Sequence, residues 1–503
     1  MTELHELTAL EQAAAIRAGD VSPVEVSTHH LDRAERLGPR VGAFITLTRE
    51  RALEQAREAE RVAWVASRAG EEAALPPLLG VPVPIKDLNN VAGVRATFGS
   101  AAYAEFVPDI DDHVVTKLRA AGTVMIGKTN TPEFGSPCYT ENAVAPPART
   151  PWDLERSAGG SSGGAAAAVA AGLAPVAHGS DGGGSIRIPA SVCGLVGLKP
   201  TRGRISAGPV KGDVSGLGTD GPLGRTVRDV AALLDAMAGP MPGDPHWAPP
   251  LPPGQTFLAA AGRDPGRLRV GRYSRPVIAE TTVDPACLSA YEQTSALLAE
   301  LGHEVDDVEP PFGVDVVPTF EAVWCVLSTL TPVPPESEEL LNPLTRHLRG
   351  RGRAVSGTAY ALALAGMQAA TRAAMTRLAP YDVLLTPTLA HLPARVGALR
   401  DDADPAADFE AQKRYTPFTA VYNVTGQPAV SLPLHWAAQP GGGVLPVGVM
   451  LAGRPAGEAQ LLSLAAQLEA ARPWAARRPL LPPQTAVEHF PSPDPTVRPT
   501  ELT

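Results

Sequence analysis

A glycine- and serine-rich stretch between Ser157 and Thr201 constrains the fold of this chain more than any other segment. It holds two clusters, GGSSGG at Gly159–Gly164 and DGGGSIR at Asp181–Arg187, which are separated by AAAAVAA and PVAHG. A flexible linker would not be interrupted by residues typical of a packed helix and a packed strand. The stretch is therefore predicted to be part of the core, where glycine lets the backbone approach a ligand closely.

The second cluster predicts a turn whose backbone N–H groups point into a pocket, because three glycines precede Ser185. The amides of Gly182, Gly183, Gly184 and Ser185 would form an oxyanion hole while the Ser185 hydroxyl attacks a carbonyl carbon. A phosphate loop needs GxxxxGK[ST] and a dinucleotide fold needs GxGxxG followed by an acid, and the segment supplies neither pattern. The cluster thus points to acyl transfer.

A serine hydroxyl is a weak nucleophile at neutral pH, so the reaction needs a base. His178 is near in sequence, but its place at the end of an apolar strand favours a structural histidine. Lys86 follows the apolar run LLGVPVPI, which predicts a strand over Leu79–Ile85 and places the amine at a strand end. Burial lowers the pKa of a lysine because desolvation disfavours the charged form, and a neutral amine is a competent base.

Short apolar strands alternate with alanine-rich helices along the rest of the chain, which predicts an α/β sheet covered by helices on both faces. Helices are predicted at Leu7–Ala18, Pro23–Leu37, Arg49–Arg68, Asp112–Ala121, Gly163–Ala171, Thr226–Ala238, Pro285–Leu301, Thr319–Leu330, Tyr360–Leu378 and Glu458–Ala471. Further strands are predicted at Val124–Ile126, Ala174–His178, Leu268–Tyr273, Val305–Val308, Val383–Thr386, Ala429–Leu432 and Val447–Ala452.

Charge and cysteine content argue against several classes of function. A net charge of −10 without runs of lysine or arginine gives no basic surface for a nucleic acid, so we expect no nucleic-acid partner. Cys138, Cys193, Cys287 and Cys325 lie far apart without a CxxC pair, so neither a zinc site nor a disulfide framework is indicated. No signal peptide and no apolar run of about 18 residues is found. We expect a cytoplasmic protein that uses no metal or cofactor and does not contact a membrane.

Taken together, the motifs resemble those of the amidase signature hydrolases. The resemblance is carried by VPIKD at Val83–Asp87, GKTNTPEF at Gly127–Phe134, the Gly/Ser-rich core, CGLVGLKPT at Cys193–Thr201 and NVTGQPAVSLP at Asn423–Pro433. Ser161 and Ser185 are 24 positions apart (185 − 161), as the two catalytic serines of that family are. The resemblance implies the amidase-signature fold, an α/β architecture with a large mixed, twisted β-sheet covered by helices on both faces.

The same resemblance implies roles for single residues. Ser185 would be the nucleophile, Ser161 would bridge it to the base Lys86, and the Gly160–Ser161 peptide bond would be cis. Three further residues are implied to support the loop: Ser162, Asp181 and Arg187. The acyl pocket of the family corresponds here to Ser136, Cys138, Tyr139, Trp324 and Cys325. These side chains are mostly apolar, so we expect a small, neutral, fairly hydrophobic amide or carbamate (urethane) as substrate.

Two strings, SVCGLVGLKPTRGRISAGP at Ser191–Pro209 and FTAVYNVTGQPA at Phe418–Ala429, are similar to bacterial enzymes acting on xenobiotic amides. These include 6-aminohexanoate cyclic-dimer hydrolases, aryl-amidases and urethane hydrolases. A second interpretation is the catalytic A subunit (glutaminase) of a tRNA-dependent amidotransferase, although that subunit typically reads GGSIRQP where Gly183–Pro189 reads GGSIRIP. A third is a binding or scaffold protein that keeps the fold without catalysis.

We expect one catalytic domain over residues 1–480, working as a monomer or homodimer on a small molecule. Within it, N-terminal helices would occupy about 1–70, the signature core about 71–240, and the helices and strands that complete the sheet about 265–475. The proline-rich run Gly239–Gly254 is predicted to be a surface connector, and residues 481–503 a proline-rich tail.

Overall fold

The computed structural model describes residues 3–211 and 214–481, so nearly all of the predicted tail lies outside the described residues. The helices are α1 Ala9–Ala18, α2 Pro23–Val41, α3 Arg49–Ala69, α4 His113–Ala120, α5 Gly163–Ala170, α6 Arg187–Cys193, α7 Val227–Met237, α8 Phe257–Ala260, α9 Pro285–Glu300, α10 Val317–Leu327, α11 Pro343–Arg353, α12 Gly357–Leu378, α13 Pro405–Tyr415, α14 Val421–Val424 and α15 Glu458–Ala471. The strands are β1 Phe44–Leu47, β2 Ile85–Lys86, β3 Gly127–Thr129, β4 Val176–Asp181, β5 Val196–Lys199, β6 Thr219–Gly224, β7 Arg269–Arg272, β8 Glu304–Asp307, β9 Val383–Pro387, β10 Ala429–Ala438 and β11 Val444–Gly453.

Eight of these strands form one sheet in the order β4-β6-β5-β10-β11-β9-β7-β8. The sheet is mixed: β7 pairs in parallel with β8 and β9, whereas the remaining neighbours are antiparallel. A smaller sheet, β1-β3-β2, lies beside it and brings β2 alongside β3 in parallel.

Helices cover both faces of the large sheet, because successive side chains of a strand point to opposite faces. On β4, Val176 packs into a core cluster with residues of α7 and α15, whereas Ala177 packs into a second cluster with residues of α5 and α6. The expected fold class, an α/β fold with a large mixed sheet between helical layers, is confirmed. No helix in the described ranges is long and apolar enough to span a bilayer.

The predicted strand Leu79–Ile85 is wrong over most of its length, since only Ile85 and Lys86 form β2. Pro82 and Pro84 interrupt the run, and a proline has no N–H to donate to a neighbouring strand. Pro82 makes only an isolated bridge, to Val124. The strand predicted at Val124–Ile126 is also displaced: the segment that pairs with β2 is β3, Gly127–Thr129. Lys86 is therefore itself the last residue of β2, opposite Thr129.

Candidate active site

Lys86 is completely buried at the end of β2, and its amine faces two serines. Nζ lies 2.7 Å from Ser161 Oγ and 3.0 Å from Ser180 Oγ, and it donates to the Ser180 carbonyl oxygen at 3.3 Å. Burial and the charge of Lys211 lower the pKa of Lys86 well below its ordinary value, although Asp181 and Asp220 oppose the shift.

The three hydrogen-bond partners of Lys86 can accommodate a neutral amine. Such an amine has two N–H donors and one lone pair, and the Ser180 carbonyl can only accept. The hydroxyl of Ser161 can donate its proton to the lone pair. None of the described carboxylates forms an ion pair with Lys86, so the buried site gives little support to the charged form. Lys86 can thus act as a base toward Ser161.

Ser161 lies two residues before the start of α5, and the Gly160–Ser161 peptide bond is cis. A Cβ atom at Gly160 would come within 2.7 Å of the backbone nitrogen of Tyr139, so the position admits only glycine. The next residue, Ser162, donates its hydroxyl to the Ser180 carbonyl at 3.1 Å and accepts the Ser180 N–H at 3.2 Å. This pair of bonds fixes the end of β4 against the start of α5.

Ser185 lies in the turn between β4 and α6 and is 7% exposed. Its carbonyl oxygen accepts the N–H of Ser162 at 3.1 Å, which ties the two glycine-rich clusters together. Ser185 and Ser161 line adjoining pockets. Within the described residues no hydrogen bond joins their hydroxyls.

The turn leaves three backbone amides without an acceptor in the described part of the chain, those of Gly182, Gly183 and Ser185. The fourth amide of the expected oxyanion hole behaves differently, because Gly184 donates its N–H to Asp181 Oδ1 at 2.8 Å. That amide is engaged in holding the turn. A φ of 135° at Gly184, with a Cβ position only 2.4 Å from Thr419 Oγ1, requires glycine there.

Asp181 and Arg187 form a buried, two-pronged ion pair beneath this turn. Nε and Nη2 of Arg187 donate to the two carboxylate oxygens of Asp181, each at 2.9 Å. Asn423 joins them by donating to Asp181 and accepting from Arg187 at 2.7 Å. Burial acts to raise the pKa of Asp181, but the Arg187 guanidinium holds it well below the ordinary range. The pair therefore stays charged and anchors the turn to α14.

His178 is placed to orient Lys86 through the backbone. Its Nδ1 accepts the backbone N–H of Lys86 at 3.2 Å, and its Nε2 lies 3.3 Å from Asp220 Oδ1. Because an accepting Nδ1 requires the proton on Nε2, the ring is in the Nε2–H form facing a carboxylate. This arrangement agrees with the structural interpretation of His178 and leaves neither ring nitrogen for Ser185.

Two compartments open beside Ser161 and Ser185. The large compartment, of about 540 Å³, is lined by Ser161, Ser180, Gly182 and an aromatic group comprising Phe98, Tyr103, Phe106, Phe134 and Trp324. The small compartment, of about 70 Å³, is lined by Gly183, Ser185, Cys138, Ile188, Ile278, Phe320 and Phe409 among others. Ser136 and Trp324 line both, so they stand between the two spaces.

Two of the expected pocket residues lie outside these compartments. Tyr139 is buried and donates its hydroxyl to Asp408 at 2.6 Å. Cys325 is 1% exposed and packs in a cluster with Phe409, behind the wall of the small compartment. Cys138, which precedes Tyr139, and Trp324, which precedes Cys325, do line the compartments. Adjacent residues of a segment take opposite directions, which the sequence alone does not reveal.

Several residues of the site escaped prediction from the sequence. Ser180 is one of them, and its only signal was its place beside Asp181 at a strand end. The aromatic group around Tyr103 was signalled by the density of aromatic residues between Phe98 and Phe134. Lys211 and Asp220 also line the large compartment, so its wall is not free of charge. Among the described residues, one trio spaced for metal binding was found, Glu3, His5 and His29, and none of the three lines either compartment.

Comparison with known proteins adds independent findings. The protein family described as Amidase matches residues 25–462. The 6-aminohexanoate-cyclic-dimer hydrolase of Paenarthrobacter ureafaciens is 36% identical over 500 residues, covering 94% of this chain and 96% of that one. The acylamidase of Rhodococcus erythropolis is 35% identical over 490 residues, covering 95% and 98%. A solved structure of 6-aminohexanoate cyclic dimer hydrolase superposes with a TM-score of 0.86 at 34% identity, covering 96% of this chain and all of that one.

Proposed function

Because the chain belongs to the amidase signature family and is a hydrolase of amide carbon–nitrogen bonds, we propose that Lys86, Ser161 and Ser185 cleave those bonds by way of a covalent acyl-enzyme. The observation that carries this proposal is the pairing of a buried lysine with Ser161 Oγ at 2.7 Å, without a carboxylate partner among the described residues. A neutral amine in that position can take a proton from a serine, which a charged ammonium cannot.

In the first half of the reaction, Ser185 Oγ attacks the carbonyl carbon of the substrate. Its proton passes to Ser161 as the Ser161 proton passes to Lys86, so the amine becomes an ammonium. The free amides of Gly182, Gly183 and Ser185 are the donors available to the tetrahedral oxyanion. The carbon–nitrogen bond then breaks as Lys86, through Ser161, returns the proton to the leaving nitrogen.

In the second half, water takes the place of the amine that has left. It attacks the acyl carbon and gives its proton through Ser161 to Lys86. As the tetrahedral intermediate collapses, the bond to Ser185 Oγ breaks and the same proton returns to that oxygen. The acid is released and the enzyme is restored with a neutral Lys86. Protonation of the leaving group matters more for an amide than for an ester, because an alkoxide leaves without full protonation.

The two compartments support an orientation for the substrate. Ser161, which delivers the proton to the leaving nitrogen, lines the large compartment, whereas Ser185, which takes the acyl group, lines the small one. We therefore place the amine portion among Phe98, Tyr103 and Phe134, and the acyl portion in the space of about 70 Å³. This arrangement suits a short acyl group on an aromatic or bulky apolar amine, linked as an amide or a carbamate.

A panel of substrates tests the proposal. We expect anilides of acetic and propionic acid to be hydrolysed with a higher kcat/KM than benzanilide, whose acyl group exceeds the small compartment. Trp324→Ala should reduce this discrimination, because Trp324 stands between the compartments. Ser67→Ala, at an exposed position on α3, serves as the matched control. Equal rates for all acyl groups with the native enzyme would refute the orientation, and aryl carbamates in the same panel decide the linkage preferred.

A further inference from the structure

A separate pocket of about 400 Å³ lies between α2, the C-terminal end of α5 and the two ends of the described chain. The basic residues that line it are His5, Arg33, Arg36, Arg40, Arg225 and Arg478. Glu6 is the only acid among the described lining residues, and it is exposed at the rim. Five arginines around one pocket are unexpected in a chain whose net charge is −10. We call this the arginine pocket.

Backbone carbonyls accept from two of these arginines, Arg33 and Arg225. Arg33 donates to the carbonyls of Gly172 and Ala171 at 3.1 and 3.2 Å, which caps the C-terminal end of α5. Arg225 donates to the carbonyls of His5, Glu6 and Leu7. A carbonyl oxygen satisfies a hydrogen bond but carries no net charge, so these contacts do not neutralise the guanidinium groups. Glu3 near Arg33 and Asp229 near Arg225 offset part of the charge without forming an ion pair.

The ion pairs of the described residues include none that joins a carboxylate to Arg33, Arg36, Arg225 or Arg478. Arg36 is exposed and makes no hydrogen bond to a described residue. Its acidic neighbours on α2 do not compensate it, since Asp32 and Glu35 both pair with Arg49. The guanidinium of Arg36 is therefore available to a ligand.

The pKa of Arg225 is consistent with a positive potential in the pocket. Burial, and then the charge of Arg478, lower the pKa of Arg225 to about 10. An anion placed beside Arg225 would give its guanidinium a favourable partner.

Arg225 supplies a further observation in favour of an anion. The residue is 5% exposed, and its Nε has no hydrogen-bond partner in the described part of the chain. A buried N–H without an acceptor is costly, and an anion bound beside Arg225 would supply the acceptor.

A metal ion is the competing occupant, because Glu3, His5 and His29 lie at one edge of this region. His5 Nδ1 is 3.1 Å from His29 Nε2, a spacing at which two imidazoles can share an ion. The guanidinium of Arg33 lies close enough to act on both rings, and its positive charge repels a cation. The electrostatics therefore favour an anion.

We propose that the arginine pocket binds a small organic phosphate, with the phosphate among the arginines and its apolar part against Leu37 and Pro479–Leu481. A tetrahedral dianion accepts from several guanidinium groups at once, which a planar monocarboxylate cannot do as well. A volume of about 400 Å³ lies in the range of small-molecule sites, so it accommodates an organic group besides the phosphate.

Calorimetric titration of the full chain with phenyl phosphate, at fixed ionic strength in chloride buffer, tests the proposal. Benzoate presents the same ring with a carboxylate and serves as the comparison ligand. Arg36→Gln removes a charge without breaking a hydrogen bond or ion pair to a described residue, and Arg57→Gln, exposed on α3, is the matched control. We expect phenyl phosphate to bind more tightly than benzoate, and Arg36→Gln to weaken its affinity about tenfold while Arg57→Gln does not.

Three results would overturn the assignment. One is no binding of phenyl phosphate up to about 10 mM, the weak end of small-ligand affinities. The second is equal weakening by Arg36→Gln and Arg57→Gln, which would mean a general charge effect. The third is binding of zinc but not of phenyl phosphate, lost in His29→Ala, which would assign the region to a metal. Amide hydrolysis should be the same in both arginine variants, so this test is independent of the proposed catalytic residues.

Discussion

The chemistry proposed for single residues depends on a lysine kept neutral by its surroundings. Lys86 has lost water through burial, it has no ion-pair partner among the described residues, and its nearest acceptors and donors are serines. The Nδ1 atom of His178 accepts the backbone N–H of Lys86. In a conventional serine hydrolase a histidine would take the proton, whereas here the histidine would position the base.

The rate should therefore depend on pH through Lys86. The amine is a base only above its pKa, and because burial lowers that pKa, log kcat/KM should rise with pH and level off below the ordinary lysine value of about 10.4. Lys86→Ala should lower kcat/KM for an anilide by at least about 10²- to 10⁴-fold, and less for the matching ester. Steady-state assays across pH 6 to 10.5 measure both.

His178→Ala is the control for this prediction. It should reduce the rate less than Lys86→Ala does and should keep the alkaline rise, since the base itself remains. If Lys86→Ala kept anilide turnover while His178→Ala lost it, a Ser–His mechanism would replace the one proposed here.

Motifs and their spacing along the chain are enough to identify Lys86, Ser161 and Ser185 as candidates. They do not reveal Ser180, whose hydroxyl reaches Lys86 only because β4 and β2 come together in three dimensions. Nor do they show that the Gly184 amide turns toward Asp181 and away from the pocket. Spacing along the chain identifies residue types, whereas the direction of a backbone amide depends on tertiary contacts.

At the scale of elements, the turn between β4 and α6 is held by the ion pair of Asp181 and Arg187. Both side chains are fully buried, and removal of one partner would leave the other as an uncompensated buried charge. Arg187→Ala should thus lower the free energy of unfolding by about 3–5 kcal/mol and abolish hydrolysis. Urea denaturation with activity assays measures both effects.

The matched control is Arg61→Ala, which breaks the exposed ion pair with Glu58 on α3 and should leave stability unchanged. Because the folded pKa of Asp181 is lowered, the pair's contribution is fully present above the unfolded value of about 3.9 and is lost as pH falls through the folded pKa. Equal stabilities of the two variants at pH 7 would contradict this role of the pair.

Elements were predictable where periodicity and caps agree, and less so near the site. Helix α2 begins at Pro23, as expected from the sequence, and Ser22 caps it by accepting the N–H of Glu25. Strand β6 was missed because TDGPLG, with two glycines and a proline, has low strand propensity, and its position inside the large sheet is set by pairing with β4 and β5. Glycine allows the backbone to approach a ligand closely, but it also lowers strand propensity, so β6 was not predicted.

The whole molecule is built around one extended core. The largest cluster of buried apolar side chains includes Ala9 near the start of the described chain and Trp474 near its end. We therefore propose that residues 1–480 act as a single domain, as expected from the sequence. Differential scanning calorimetry should show one unfolding transition, because neither half keeps a complete core without the other. Two well-separated transitions would mean that the chain divides into independent domains.

The central claim is that Ser185 carries the acyl group, and covalent labelling tests it most directly. A fluorophosphonate reacts with an activated serine as an acyl donor would. Peptide mass spectrometry after labelling should find the adduct on Ser185, with no labelling of Ser185→Ala and much slower labelling of Lys86→Ala. An adduct on another residue, or a folded Ser185→Ala protein that still labels and still hydrolyses anilides, would contradict the account.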